Sequence, residues 1–275
     1  MRIFVLTLFV ILSLITPFFV YADCSNLGTT VIFINGMFIS DKSDADASRK
    51  ILANVFKAKS DIKDVNFILG YNPSHVAGID DVVSFVKQAY NGGRMDYDLA
   101  TILRQIHSEL KTQRILLIGH SQGTFYTNAA YDYLVAHGVD KDSIAVYNVA
   151  TPADFVAGSE GHPGKYLTSS TDRVISSIVK ELAKIGSARR PLPPNISLKL
   201  PLLQVLNPLA GHSFTDVYLA EAPDRIIGDM DSEIGNLSAG SDKNNCFVQP
   251  KADSIGNMLY IVRFDLASCL VVLNP

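Results

Sequence analysis

At 275 residues, 48% of them hydrophobic, the chain is long enough for one large α/β domain. Its formal charge of −3 comes with no basic block, so nucleic acid is not an expected partner. The three cysteines are too widely spaced for a metal knuckle and have no nearby Cys–His pattern for a cysteine nucleophile, and no residues are assigned to a metal or a cofactor.

Residues 1–22 are set apart from the fold. Arg2 is a minimal positive start, residues 3–20 are almost all apolar, and Val20-Tyr21-Ala22 offers small residues at −3 and −1 of a cleavage site. This is the pattern of a secretory signal peptide cut before Asp23, and it places the mature chain, residues 23–275, outside the cell or in the periplasm. A retained membrane anchor is the rival, which Thr16 and Pro17 disfavour. Cutting removes Arg2, so the charge goes from −3 to −4. Cys24, Cys246 and Cys269 all survive and imply one disulfide and one free thiol. Cys246–Cys269 is the expected pair, and Cys24 bridged to either late cysteine is the alternative.

In chain order, residues 29–34 form a buried strand that ends in Asn35-Gly36-Met37. A helix over 43–57 follows, with Ala47, Ile51, Val55 and Phe56 on one face and Asp41 or Ser43 as its cap. Residues 65–69 form the next strand. Helices follow at 82–89, closed by Asn91-Gly-Gly93, and at 99–110, where Leu99, Ile102, Leu103, Ile106 and Leu110 keep helical spacing. Strands at 115–118, 143–149 and 165–169 complete an alternating pattern, which means βαβ units and a mostly parallel sheet flanked by helices.

From Val174 the pattern changes. Ile175, Ile178, Val179, Leu182 and Ile185 make an apolar stripe, Arg189-Arg-Pro-Leu-Pro-Pro194 breaks it, and 198–209 is apolar again. Residues 174–210 read either as a cap over a site or as a helix on the sheet with a long surface loop. A short helical stretch at 217–221, a polar loop from 235 to 245 and a pair of strands within 244–275 end the chain.

The chemistry gathers at Gly119-His120-Ser121-Gln122-Gly123, a G-x-S-x-G match between the strand at 115–118 and a helix at 125–135. In that context the motif is a nucleophile elbow, with Ser121 on a sharp strand-to-helix turn. A serine needs a base, and the base needs a carboxylate, in the chain order Ser, acid, His. Only His162 and His212 come late enough. His162 sits in a glycine-rich turn, so His212 is preferred. Asp172, one strand further on than Asp154, is the preferred acid. Two N–H donors should hold the oxyanion: that of Gln122, just after the nucleophile, and that of Met37, after Gly36.

These residues resemble the α/β-hydrolase superfamily, on its lipase and esterase branch. Secreted bacterial lipases have a strand ending His-Gly and a Gly-His-Ser-x-Gly elbow; here Asn35 stands in place of the usual His. Residues 31–219 also resemble bacterial hydrolases with an Asn-Gly oxyanion loop, a His-Ser-Gln-Gly elbow, Ala150-Thr-Pro152 and Gly211-His-Ser-Phe214. The resemblance implies a secreted serine hydrolase of carboxylic esters, including acyl lipids, that touches a lipid surface peripherally. A thioesterase or amidase on the same triad, and a non-catalytic binding protein on this scaffold, are the alternatives.

Overall fold

The computed structural model describes residues 25–37, 39, 41–73, 79–90, 96–200 and 209–240. The expected signal peptide, the three cysteines and the expected terminal strand pair lie outside them.

Among the described residues, five strands carry the fold: β1 (Ser25–Ile34), β2 (Val65–Gly70), β3 (Thr112–His120), β4 (Ile144–Val149) and β5 (Lys165–Leu167). They form one all-parallel sheet in the order β2-β1-β3-β4-β5. The helices are α1 (Lys42–Lys59), α2 (Ile79–Tyr90), α3 (Asp96–Glu109), α4 (Gly123–Ala136), α5 (Arg173–Lys184) and α6 (Pro223–Asn236), with a π-helical turn at Phe214–Leu219 before α6.

The central strands are apolar runs because both faces are covered. Alternate residues face opposite layers. Val31, Phe33, Leu116, Ile118, Ala145 and Tyr147 pack with Leu52 and Phe56 of α1, the π-helical turn, and Ile226 and Met230 of α6. Ile32, Ile34, Ile115, Leu117 and Val146 pack on the other side against Ile102 and Ile106 of α3 and Tyr126 and Leu134 of α4. Fully burying each of these aliphatic side chains contributes roughly 1.5–3 kcal/mol.

Two expectations are corrected here. The buried stripe of α1 is Ala45, Leu52, Ala53 and Phe56, not a face through Ala47 and Ile51; Ile51 is exposed. Arg49 misleads the periodicity, since it sits on the inner side with its guanidinium on the Phe67 carbonyl. Asp41 is the cap, accepting from the Ser43 and Asp44 N–H groups. The second correction is α6, a full helix where the sequence suggested only a short stretch and a loop. Pro223 at its first turn and the spacing of Ile226, Ile227, Met230 and Ile234 are the signals that mark it.

The 174–210 excursion divides in two. α5 lies over the carboxyl edge of the sheet, where Val174, Ile175, Ile178 and Leu182 join Met37, Val83, Val86, Tyr90 and Phe125 in a third apolar cluster. Beyond it, the chain runs along the sheet edge beside β5. Leu192 N–H donates to Ala153 O, Ser170 N–H to Ile196 O, and Leu198 N–H to Ser169 Oγ. Residues 201–208 lie outside the described chain.

Candidate active site

β3 delivers Ser121 to the carboxyl edge of the sheet and α4 starts two residues later. Ser121 has φ 55°, a left-handed conformation that is uncommon for a non-glycine residue and costs on the order of 1 kcal/mol or more. The turn is held by Ser121 N–H on Val149 O at 3.0 Å and by the Thr124 N–H and hydroxyl on Ser121 O at 3.0 and 2.7 Å. Gly123 is required by space. A Cβ there would lie 2.3 Å from Ile34 O and 2.8 Å from Asn35 O.

This contact yields a pair of stability predictions of opposite sign. Gly123→Ala forces methyl against fixed backbone and should cost about 1–3 kcal/mol or more. Gly228→Ala, inside α6 with open space around it, should instead stabilise by about 0.5–1 kcal/mol. Thermal denaturation reads both, at roughly 2–4 °C per kcal/mol. Equal midpoints for the two variants would contradict the packing at the elbow.

His212 reaches Ser121 from the loop between the sheet-edge segment and the π-helical turn. Its Nε2 lies 2.7 Å from Ser121 Oγ, and its Nδ1 lies 3.0 and 2.8 Å from the two oxygens of Asp172. Gly211 (φ 82°) lets this loop run against the acid's loop, for a Cβ there would sit 2.5 Å from Thr171 O. Asp172 caps α5, accepting from Ile175 N–H at 3.1 Å. All three side chains are buried, at 2% exposure for Ser121, 0% for Asp172 and 3% for His212.

The rival residues go elsewhere. Asp154 pairs with Arg189 at 2.6 Å, and that guanidinium also stacks 5.1 Å from the Tyr90 ring. His162 stays in its turn, 3.8 Å from Asp142.

The loop after β1 lies directly on Ser121. A Cβ on Gly36 would be 2.7 Å from Ser121 Cβ. Met37, next in the chain, is buried. Asn35 explains how a loop without the lipase histidine is held. Its Oδ1 accepts from Asn72 N–H at 2.9 Å, while its Nδ2 donates to Gly36 O and Asn72 O. Asn72 Nδ2 in turn donates to Gln122 Oε1 at 2.6 Å. Three buried side-chain amides thus tie the Asn35-Gly36 loop to the Gln122 side chain in one network. Asn72 is invisible as a site residue in the sequence because it belongs to a different strand's end.

Two further residues were not foreseen. Tyr218 donates its hydroxyl hydrogen to Asp172 Oδ2 at 2.9 Å. His120 places its Nε2 2.8 Å from the His212 carbonyl, which can only accept, so that nitrogen carries the proton. Burial, and then the neighbouring His212, push the His120 imidazole down to about 3 from the ordinary 6.5. Between those values the unfolded chain binds a proton that the folded chain does not. Stability should therefore hold above pH 6.5 and fall as pH drops toward 3, by on the order of 1 kcal/mol per pH unit from this residue. Urea unfolding across that range should show a shallower slope for His120→Asn; identical slopes would contradict a neutral buried His120.

Taken together, a central parallel strand turning through a strained serine into a helix, with the acid past β5 and the histidine after it, is the arrangement of an α/β hydrolase. The fold is of that type. No family model matches the chain, and no curated protein matches it. Among solved structures it is similar to ClbQ from the colibactin NRPS/PKS pathway, at 13% identity and a TM-score of 0.30 over 59% of this chain and 57% of that one. It is also similar to an arylesterase, at 17% identity and a TM-score of 0.26 over 50% of this chain and 41% of that one. The chain thus spans less than two thirds of either protein, and the fold assignment rests on strand order and the elbow. Among the described residues, no group of three or more His, Cys, Asp or Glu is placed to hold a metal ion.

Proposed function

We propose that the chain is a serine hydrolase of carboxylic esters, made with a signal peptide and exported. The observation that carries this is the 2.7 Å contact of His212 Nε2 with Ser121 Oγ, backed by Asp172 on Nδ1. His212 takes the Ser121 proton as Oγ attacks the ester carbonyl. The Gln122 and Met37 N–H groups receive the negative charge of the tetrahedral intermediate. His212 then hands its proton to the leaving alcohol, and water repeats the sequence on the acyl-enzyme. Asp172 holds the imidazole with its proton on Nδ1 and balances the imidazolium that forms.

The substrate class we propose is an acyl ester, with acyl lipids included. Met37 and Phe125 flank the nucleophile in sequence or space and belong to the apolar cluster under α5. An acyl chain would be met there by hydrocarbon. p-Nitrophenyl esters of increasing chain length test this: kcat/KM should rise by up to about fourfold per buried methylene, and rise again when substrate aggregates, since Ser121 is buried and the proposal takes residues 174–210 as its cap. A preference for acetate over longer acyl chains would overturn the acyl-lipid assignment. The same triad serves a thioester or amide, and the matching thioester and anilide panels separate these.

A further inference from the structure

We propose that Tyr218 is a positioning residue of this site, acting through Asp172; the inference rests on the hydrolase reading above. Its hydroxyl sits between two groups. It accepts from Ser169 N–H at 2.9 Å and donates to Asp172 Oδ2 at 2.9 Å. Ser169 lies two residues past β5, bridged to Ile196, and is itself tied to Thr171 and to Leu198 N–H. The phenol therefore links the acid to the rigid sheet edge as well as to its own element.

Asp172 accepts three kinds of donor: Ile175 N–H on Oδ1, Tyr218 O–H on Oδ2, and His212 Nδ1–H near both. Two of these fix the carboxylate from behind, leaving it aimed at the imidazole. A carboxylate with no exposure to water gets its stabilisation only from such donors. The phenol stays a donor: burial, then the Asp172 charge, push its proton affinity well up.

The backbone brings this about in a specific way. Tyr218 N–H bonds to Ser213 O, five residues back, and Val217 N–H shares the same carbonyl. This widened turn, started by Ser213 capping Asp216 N–H, turns Phe214, Val217 and Tyr218 all inward. Phe214 packs on the His120 ring and on Phe33, so the turn is held from the core side. π-turns of this kind recur at functional sites, because they re-aim one side chain without ending the helix.

A purely structural role is the competing account: the phenol would only tie the turn to Ser169. Tyr218→Phe keeps the ring and removes both hydrogen bonds. It is compared with wild type on one ester, at a temperature where circular dichroism shows both fully folded. The expected result is kcat lower by about ten- to a hundredfold, the loss of one hydrogen bond to a charged group, with KM unchanged. In an Asp172→Asn background the same change should cost nothing further, because the group it acts through is already lost. An unchanged kcat, or a loss that multiplies on top of Asp172→Asn, would overturn the role of Tyr218 while leaving the hydrolase reading intact. A wild-type chain that turns over no ester, thioester or amide overturns both.

Discussion

Ser121→Ala is expected to lower kcat by about a million-fold, with His212→Ala equal to it and the double variant no worse. The equality follows from shared work. Oγ is a poor nucleophile unless Nε2 takes its proton, and Nε2 has nothing to take if Oγ is absent. The residual rate, about 10³–10⁴ over water, would come from the oxyanion donors and binding alone. The fold should survive, since the Ser121 hydroxyl bonds to His212 and the turn itself is held through backbone groups and Thr124. Far-ultraviolet circular dichroism and ester hydrolysis on the same samples check both halves. A Ser121→Ala protein retaining a tenth of its activity would mean that another group attacks.

Asp172→Asn should cost about 10⁴ in kcat, by reversing the imidazole tautomer. The new amide has one oxygen where there were two. Ile175 N–H is a fixed donor on Oδ1, so an oxygen must stay there. The Tyr218 hydroxyl can rotate and accept, so the NH₂ takes the Oδ2 position, 2.8 Å from His212 Nδ1. Two donors cannot face each other. Nδ1 then becomes the acceptor, Nε2 carries the hydrogen, and the base points a proton at the nucleophile. Asp154→Asn should leave kcat nearly unchanged, since that carboxylate serves a partly exposed ion pair with Arg189, a contact of about 1 kcal/mol or less. Initial-rate kinetics on the two variants decide the assignment. If Asp154→Asn is the crippling change, His212 is oriented by a group other than Asp172.

How much of this could be read beforehand differs by kind of residue. The elbow is legible because a local clash dictates it: glycine at 119 and 123 follows from backbone lying within 3 Å of any Cβ there. Asp172 and His212 follow from chain order and strand ends, both properties of the linear sequence. The supporting residues do not. Asn72 bonds to Asn35 and Gln122 across 37 and 50 residues, and Tyr218 meets Asp172 only because a π-turn sets its angle. Nothing in a pattern of spacing encodes a contact between polar side chains from different strand ends. The misplaced stripe of α1 has the opposite origin. There the local pattern is real, but an arginine stem occupies the inner face while its charged head finds the Phe67 carbonyl and Asp46.

The central claim is that Ser121 is an activated nucleophile. Reaction with a fluorophosphonate, followed by peptide mass spectrometry, tests it without knowledge of the natural substrate. The account predicts one stoichiometric adduct on the peptide carrying Gly119-His-Ser-Gln-Gly123, lost in Ser121→Ala and strongly slowed in His212→Ala. An intact wild-type protein that takes no adduct at Ser121, or that labels equally after Ser121→Ala, would contradict it.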